Sequence, residues 1–456
     1  MKRLNLSYLL LPVLIFFSCS KTSSFLDARP DQSLIVPTTI TDCQQLLDND
    51  LVMNGYGYAG YPSLGETGCD DYYVTSSQYA GYSSADQNAV IWAPHVYTGG
   101  EMNDWDLPYR VIFYANEVIE VLNTLHPSDG ELADWNNARG MADFFHGFAL
   151  YQLAQLFSPA YDSVTAATAP GLPLRMSADV SEKIYRATVQ QTYDQILLDI
   201  GEAARLLPAN PDWYPTRPSK AAAYGLLSRV YLSTRNYPQA MLYADSCLHI
   251  HPALMDYNTI DATATLPFTR TNPEVIFGAA YLRSGPTAIG RSITDSLLFN
   301  SYAPEDLRKK LFFKNGPVFF GRYDEDGYAF GGIASDEMYL IRSECKARSG
   351  LTTAAMDDLN ALLTTRWTSN HFSPYTAVSP EDALQQVLTE RRKELLYRGL
   401  RWTDLRRLNK EPGHAITIYR TVNGQSYSLP SADNRYTYLI PDNVIALHPG
   451  MPQNPR

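Results

Sequence analysis

The chain has 456 residues, length for roughly three average domains, and its 45% hydrophobic and 19% charged composition excludes a disordered or fibrous chain. With 37 basic against 48 acidic residues the net charge is −11 and no Lys/Arg block stands out, so nucleic acid is excluded as a partner. Tyrosine is abundant, 32 against 17 phenylalanines, and its apolar ring with a polar tip suits half-exposed binding surfaces.

Lys2 and Arg3 precede an apolar run from Leu9 to Phe17, too short for a bilayer that needs about 20 apolar residues. Residues 1–18 therefore read as a cleaved secretory signal. Ser18 directly before Cys19 has the form of a bacterial lipoprotein processing site, so Cys19 is expected to carry lipid and to anchor the chain without a spanning helix. Cys43, Cys69, Cys247 and Cys345 remain, with no C-x-x-C spacing and three possible pairings if any form. Neither a zinc site nor a cofactor is expected, and Cys247 and Cys345 read as small buried hydrophobes on helices.

Helical periodicity dominates the mature chain, residues 19–456, read as a single domain. Asn103 or Asp104 is expected to cap a helix whose face carries Val111, Ala115, Val118, Leu122 and Leu125. Met141, Phe144, Phe145, Phe148, Leu153 and Leu156 line the next, closed by Pro159, and Val189, Tyr193, Ile196, Leu197, Ile200 and Leu207 a third, closed by Pro208. Tyr224-x-x-Leu227-Ser228-x-x-Tyr231 followed by Ala240, Ala244, Cys247 and Pro252 falls on tetratricopeptide spacing. A frame shifted by 115 residues gives a weaker second copy at Tyr339, Ser343, Gly350, Ala355 and Leu359, where Arg342 and Lys346 break the apolar match. The fold class is thus mostly α, a tetratricopeptide-like scaffold over about 37–252 and 335–410. Residues 53–102 and 253–334 lack such periodicity and read as long ordered loops with a few short strands.

Chemical motifs fail on context. Gly55-x-Gly57-x-x-Gly60 matches a dinucleotide fingerprint, but no strand precedes it and Pro62, Gly65 and Gly68 bar a helix after it. Asp324-Glu325-Asp326-Gly327 puts Arg322 and Ile333 where a calcium loop needs ligands. Neighbouring Asp70 and Asp71 point opposite ways on extended chain, and no H-E-x-x-H, G-x-S-x-G or Walker pattern exists, so the chain reads as no enzyme. Tyr56, Tyr58, Tyr61, Tyr72, Tyr73, Trp92, Tyr97 and Trp105 crowd the first loop region beside Asp70, Asp71, Asn103 and Asp104. Flat rings edged by carboxylates and amides are what a sugar needs, with packing of each ring onto the helices as the competing reading.

The run Glu390-Arg391-x-x-Glu394-Leu395-Leu396-Tyr397-x-Gly399-x-Arg401-Trp402-x-Asp404-Leu405-Arg406 resembles the SusD/RagB family of Bacteroidetes outer-membrane lipoproteins. Phe25-Leu26-Asp27, the Ala-rich repeat from Lys220 to Leu232, Glu337-x-Tyr339-Leu340-Ile341 and the ending Gln453-Asn454-Pro455 agree with it in order. Arg398 departs from a frequent family Glu. Glu390, Arg391, Glu394, Arg401 and Asp404, alternating in sign along a helix and turn, are expected to form a structural ion-pair network rather than a catalytic centre. The resemblance implies a lipid-anchored, cell-surface, outer-membrane protein with four tetratricopeptide-like units. It would sit as a lid on a SusC-like TonB-dependent transporter and capture oligosaccharide or polysaccharide for import; peptide capture and a pure adaptor role are the alternatives. It also places the ligand face on the non-helical regions. The expected ligand residues are Tyr56, Tyr58, Asp70, Asp71, Tyr72, Tyr73, Trp92, Trp105, Tyr281, Arg291 and Tyr323, with Tyr302, Tyr328 and Arg322 behind them.

Overall fold

A computed structural model describes residues 37–57, 60–97, 102–209 and 214–456; Cys19 and Tyr58 lie outside these. Ten helices carry the scaffold: α1 Ile40–Leu47, α2 Asn103–Thr124, α3 Leu132–Phe157, α4 Val189–Leu206, α5 Lys220–Ser233, α6 Tyr237–Ile250, α7 Ser335–Arg348, α8 Thr352–Thr364, α9 Pro380–Glu394 and α10 Arg401–Leu408. Successive helices pack on one another from α2 through α8, with α9 closing on α7 and α8. Side chains at the helix starts satisfy the free backbone donors there: Thr39, Thr188, Ser219 and Ser379 each accept from a first-turn N–H. From Ala138 to Phe157, α3 is buried on every side except at Arg139 and Gln152, so it is the central helix rather than a one-faced surface helix.

The repeat is exact at its tightest point. Ser228 Oγ on α5 donates to the Ala240 carbonyl of α6 at 2.9 Å, and 115 residues later Ser343 Oγ on α7 donates to the Ala355 carbonyl of α8 at 2.7 Å. Small residues let both helix pairs approach closely, which is why the spacing recurs. Asn103 and Asp104 do not cap α2: Met102 is the cap position. The Asp104 carboxylate turns away and accepts from the Ser63 and Leu64 N–H groups at 2.6 and 3.0 Å and from Tyr97 Oη at 2.7 Å.

The first irregular stretch holds the short helices Leu64–Gly68, Ser76–Ala80 and Ser84–Val90, too short to leave a periodic signature. Four two-residue strands join it to the second stretch: β1 Tyr72–Tyr73, β2 Ile293–Thr294, β3 Phe313–Lys314 and β4 Val318–Phe319, antiparallel in the order β1-β2-β4-β3. Tyr73 sits opposite Ile293.

The charged motif forms a buried network, but mostly with distant partners rather than within itself. Arg391 pairs with Asp404 at 2.9 Å inside the motif. Glu390 and Glu394 instead bind Arg308 at 2.6 and 3.0 Å, Glu394 also binds Arg366 at 2.8 Å, and Arg401 binds Asp70. A fully buried charge requires a partner wherever the chain can bring one, and here Arg308 and Arg366 arrive from the second loop region and the end of α8. The four cysteines from Cys43 to Cys345 are free and buried.

Candidate functional site

Between Tyr281 and β2 runs a Gly- and Pro-containing loop, Arg283-Ser284-Gly285-Pro286-Thr287-Ala288-Ile289-Gly290-Arg291. It is held mostly through its backbone: Gln78 Nε2 donates to the Arg291 carbonyl at 3.0 Å, the Gly285 N–H donates to Asp86 Oδ2 at 3.2 Å, and Arg322 donates to the Thr287 carbonyl, while Thr67 Oγ1 donates to the Ser284 hydroxyl at 3.0 Å. Gly285 is required by close approach, because a Cβ there would lie 2.7 Å from Cδ1 of Tyr82. Gly290 takes φ +72° beside the Phe320 ring.

Around this loop the first and second irregular stretches present aromatic rings. Tyr73 is 43% exposed, and Tyr82, Phe320 and Tyr328 are half-buried. Arg283 lies 4.5 Å over the Tyr328 ring, and both Arg283 and Arg291 are exposed. The Tyr82 hydroxyl is buried and without a hydrogen-bond partner among the described residues. Rings at a surface with guanidinium groups at their margins are the pairing that a sugar's apolar face and hydroxyl edge require.

Of the residues expected from the sequence, Tyr73 and Arg291 lie on this face. Six aromatic ones lie inside the protein and cannot offer a ring to a ligand: Tyr56, Tyr72, Trp92, Trp105, Tyr281 and Tyr323. Each has a structural partner. Tyr56 packs edge-on to Tyr328 under the Arg270 guanidinium, Trp105 packs on Phe157, and Trp92 Nε1 donates to the Gly68 carbonyl at 2.8 Å. The hydroxyls of Tyr72, Tyr281 and Tyr323 donate to the Thr67 carbonyl, the Tyr397 carbonyl and Glu274 at 2.5, 2.6 and 2.5 Å. Tyr302 and Arg322 are buried as well, while Tyr328 does reach the face.

The carboxylates are also committed. Asp70 accepts from Arg401 Nε and Nη2 at 2.7 and 2.8 Å, and Asp71 accepts from Arg392 Nε at 2.8 Å. Burial raises the carboxyl of each, but Arg401 overcomes it at Asp70, which is held well below the usual range, whereas Asp71 stays raised. Neither is free to grip a hydroxyl. Tyr82, Phe320 and Arg283 were missed; the only sequence signal for the first is its polar, glycine-containing surroundings from Ser76 to Ser84.

Glu66, Cys69 and Asp71 bring possible ligand atoms within 4.8 Å of one another. They suit a cation poorly. Asp71 is paired with Arg392, burial pushes Glu66 up to about 8, and burial pushes the Cys69 thiol far up, so two of the three donors hold a proton at neutral pH.

Two family models match the chain, one described as starch-binding and associating with outer membrane over residues 24–232, the other as the SusD family over residues 336–456. The chain belongs to the SusD family, a class of outer-membrane-associated carbohydrate-binding proteins rather than enzymes. Its fold is similar to that of a putative sugar binding protein from Bacteroides vulgatus, with 21% identity, TM-score 0.74, and 92% of this chain and 99% of that one covered. A SusD superfamily protein from Bacteroides thetaiotaomicron is similar at 22% identity and TM-score 0.71, covering 92% and 100%. A laminarin binding SusD-like protein is similar at 17% identity and TM-score 0.65, covering 91% and 99%. No curated protein matches the sequence. No helix among the described residues is long and apolar enough to cross a membrane.

Proposed function

We propose that this chain is a lipid-anchored, cell-surface glycan-capture protein that holds an oligosaccharide against the face around residues 283–291 and passes it to a SusC-like TonB-dependent transporter. The observation that carries the reading is that Tyr82, Phe320 and Tyr328 lie against one loop that bears two exposed arginines, with the exposed Tyr73 on the strand paired at the end of that loop. The anchor would be the Cys19 thioether, and the helical scaffold would leave the opposite surfaces to the transporter.

Calorimetry against a panel of oligosaccharides tests it. Tyr73→Ala and Tyr82→Ala are each expected to weaken binding by about 1 kcal/mol or more if their rings are platforms. Unchanged affinity in both folded variants would remove this face from consideration. Binding of peptides with no binding of any glycan would replace the reading with peptide capture. Metabolic labelling with a fatty acid, lost in Cys19→Ala, tests the anchor.

A further inference from the structure

The ion network that Glu390 and Glu394 enter holds one acid more than it has bases. Arg308 binds Asp306, Glu390 and Glu394, Lys393 binds Glu390 and Asp306, and Arg366 joins Glu394 to Glu274. Arg366 Nη2 lies 2.8 and 3.0 Å from the two Glu274 oxygens. Arg398 and Asp336 pair at 2.6 Å and adjoin this group through Tyr323, whose Oη lies 2.5 Å from Glu274 Oε2 and 3.4 Å from Asp336 Oδ2. Arg308, Arg366, Lys393 and Arg398 are thus four cations against the five carboxyls of Asp306, Glu390, Glu394, Glu274 and Asp336, and all nine side chains are buried. Among the described residues no other cation pairs with any of the five.

Five ionised carboxylates would leave a net negative charge in the interior, where an unmatched charge is costly and taking up a proton removes it. Tyr323 is where that proton fits. Its single hydroxyl hydrogen can go to Glu274 or to Asp336, so with both acids ionised one of the two contacts has no hydrogen in it. With a proton on Glu274 Oε2, the carboxyl donates to Tyr323 Oη and the hydroxyl turns to Asp336, and both contacts hold one. Tyr257 Oη, 3.0 Å from Tyr323 Oη, can donate to it in either state. The surroundings of Glu274 favour the same assignment: burial raises its carboxyl from 4.5 to about 7 against the pull of Arg366, and Asp336 and Glu394 add to the rise.

The members of the network come from separate parts of the chain. Glu274, Asp306, Arg308 and Tyr323 belong to the second irregular stretch, Asp336 to α7, Glu390, Lys393 and Glu394 to α9, and Arg366 follows α8. We propose that the network keeps one proton between Glu274, Tyr323 and Asp336 that clamps the second irregular stretch to these helices, and that its loss with rising pH loosens the joint. The folded protein holds this proton where the unfolded chain has released it, so the clamp weakens from pH 4.5 up to about 7 and stays weak above. The device does not depend on which ligand the protein takes.

Hydrogen exchange of the backbone amides of residues 274–281 in the full chain, at pH 5.5 and 8.5 and corrected for intrinsic rates, tests it. The rise in opening between the two pH values is expected to be about tenfold or more larger in the wild type than in Glu274→Gln, which keeps the shape of the protonated acid and cannot ionise. Glu66 and His146 titrate in both proteins, so the difference between them reports on the network. Asp336→Asn leaves four acids against four bases and is expected to flatten the rise to the same extent; it decides the matter if Glu274→Gln does not fold. An infrared band of a protonated carboxyl, present in the wild type at pH 5.5 and missing from Glu274→Gln, gives a readout that lost packing alone would not move. Equal rises in the wild type and the folded variant, or an unchanged infrared spectrum, would overturn the proposal.

Discussion

His146 Nδ1 lies 2.7 Å from the Asp199 carboxylate across the contact of α3 and α4, both side chains buried. Its Nε2 faces the Arg175 carbonyl at 3.0 Å. A carbonyl can only accept, so Nε2 carries a proton, and a carboxylate at Nδ1 takes a second. Burial opposes the charged ring, yet Asp199, with the Arg175 carbonyl and Asp143 beyond it, raises His146 above its ordinary 6.5. A raised histidine gives stability that is fully present below pH 6.5 and lost as pH rises through the folded value. His146→Gln is expected to lose about 2 kcal/mol more at pH 5.5 than at pH 9 in denaturant unfolding, since a charged hydrogen-bonded pair is worth about that much. An equal loss at both pH values would show that no proton is taken up there.

Glu66 runs in the opposite chemical sense with the same direction in pH. Burial raises it from 4.5 to about 8 although the Gly399 N–H donates to it at 2.7 Å. Between these values the folded state holds a proton that the unfolded state has released, so raising pH removes stability at up to about 1.4 kcal/mol per unit. Glu66→Gln can keep the Gly399 contact and has no charge to bury. The variant should match the wild type near pH 5 and melt higher than it near pH 8.5; parallel curves across that range would count against a buried protonated acid.

Arg398 binds both oxygens of Asp336 at 2.8 and 2.6 Å while lying 4.3 Å over the Tyr323 ring. Arg398→Glu would set two buried carboxylates side by side. The cost is expected at about 3 kcal/mol or more, the usual loss when one partner of a buried pair is removed. Asp336→Asn in the same chain should recover part of it, measured by chemical denaturation.

At the two repeat contacts, Ser228→Val and Ser343→Val each remove one hydroxyl bond to a facing helix and add bulk at a close approach. Each should cost about 1 to 2 kcal/mol, with similar values because the contact is the same. A cost confined to one of them would mean that the copies are not equivalent in energy.

The scaffold could be read from the sequence because its signals are local. Ser228 and Ala240 lie 12 residues apart, and helix-period stripes need no knowledge of distant partners. The second copy is weak for a visible reason: Arg342 and Lys346 do not enter the helix contact but bind Asp358 of α8 at 2.8 and 2.7 Å. The face was far less readable. Tyr72 and Tyr73 are neighbours of one type, and β1 sends the first inward to the Thr67 carbonyl and the second to the surface. Which of the two is exposed depends on Ile293 pairing across more than 200 residues. The ion network shows the same limit. Arg391 and Asp404 could be matched by spacing, whereas Arg401 meets Asp70 at a separation of 331 residues.

The fastenings of loop 283–291 carry a further consequence. Gln78, Asp86 and Arg322 grip carbonyls and an N–H of the main chain, so they do not read the identity of the side chains at 288, 289 or 291. Those positions can mutate without unfastening the loop. The outward side chains of this loop are therefore free to drift in sequence while its path across the rest of the molecule stays as it is.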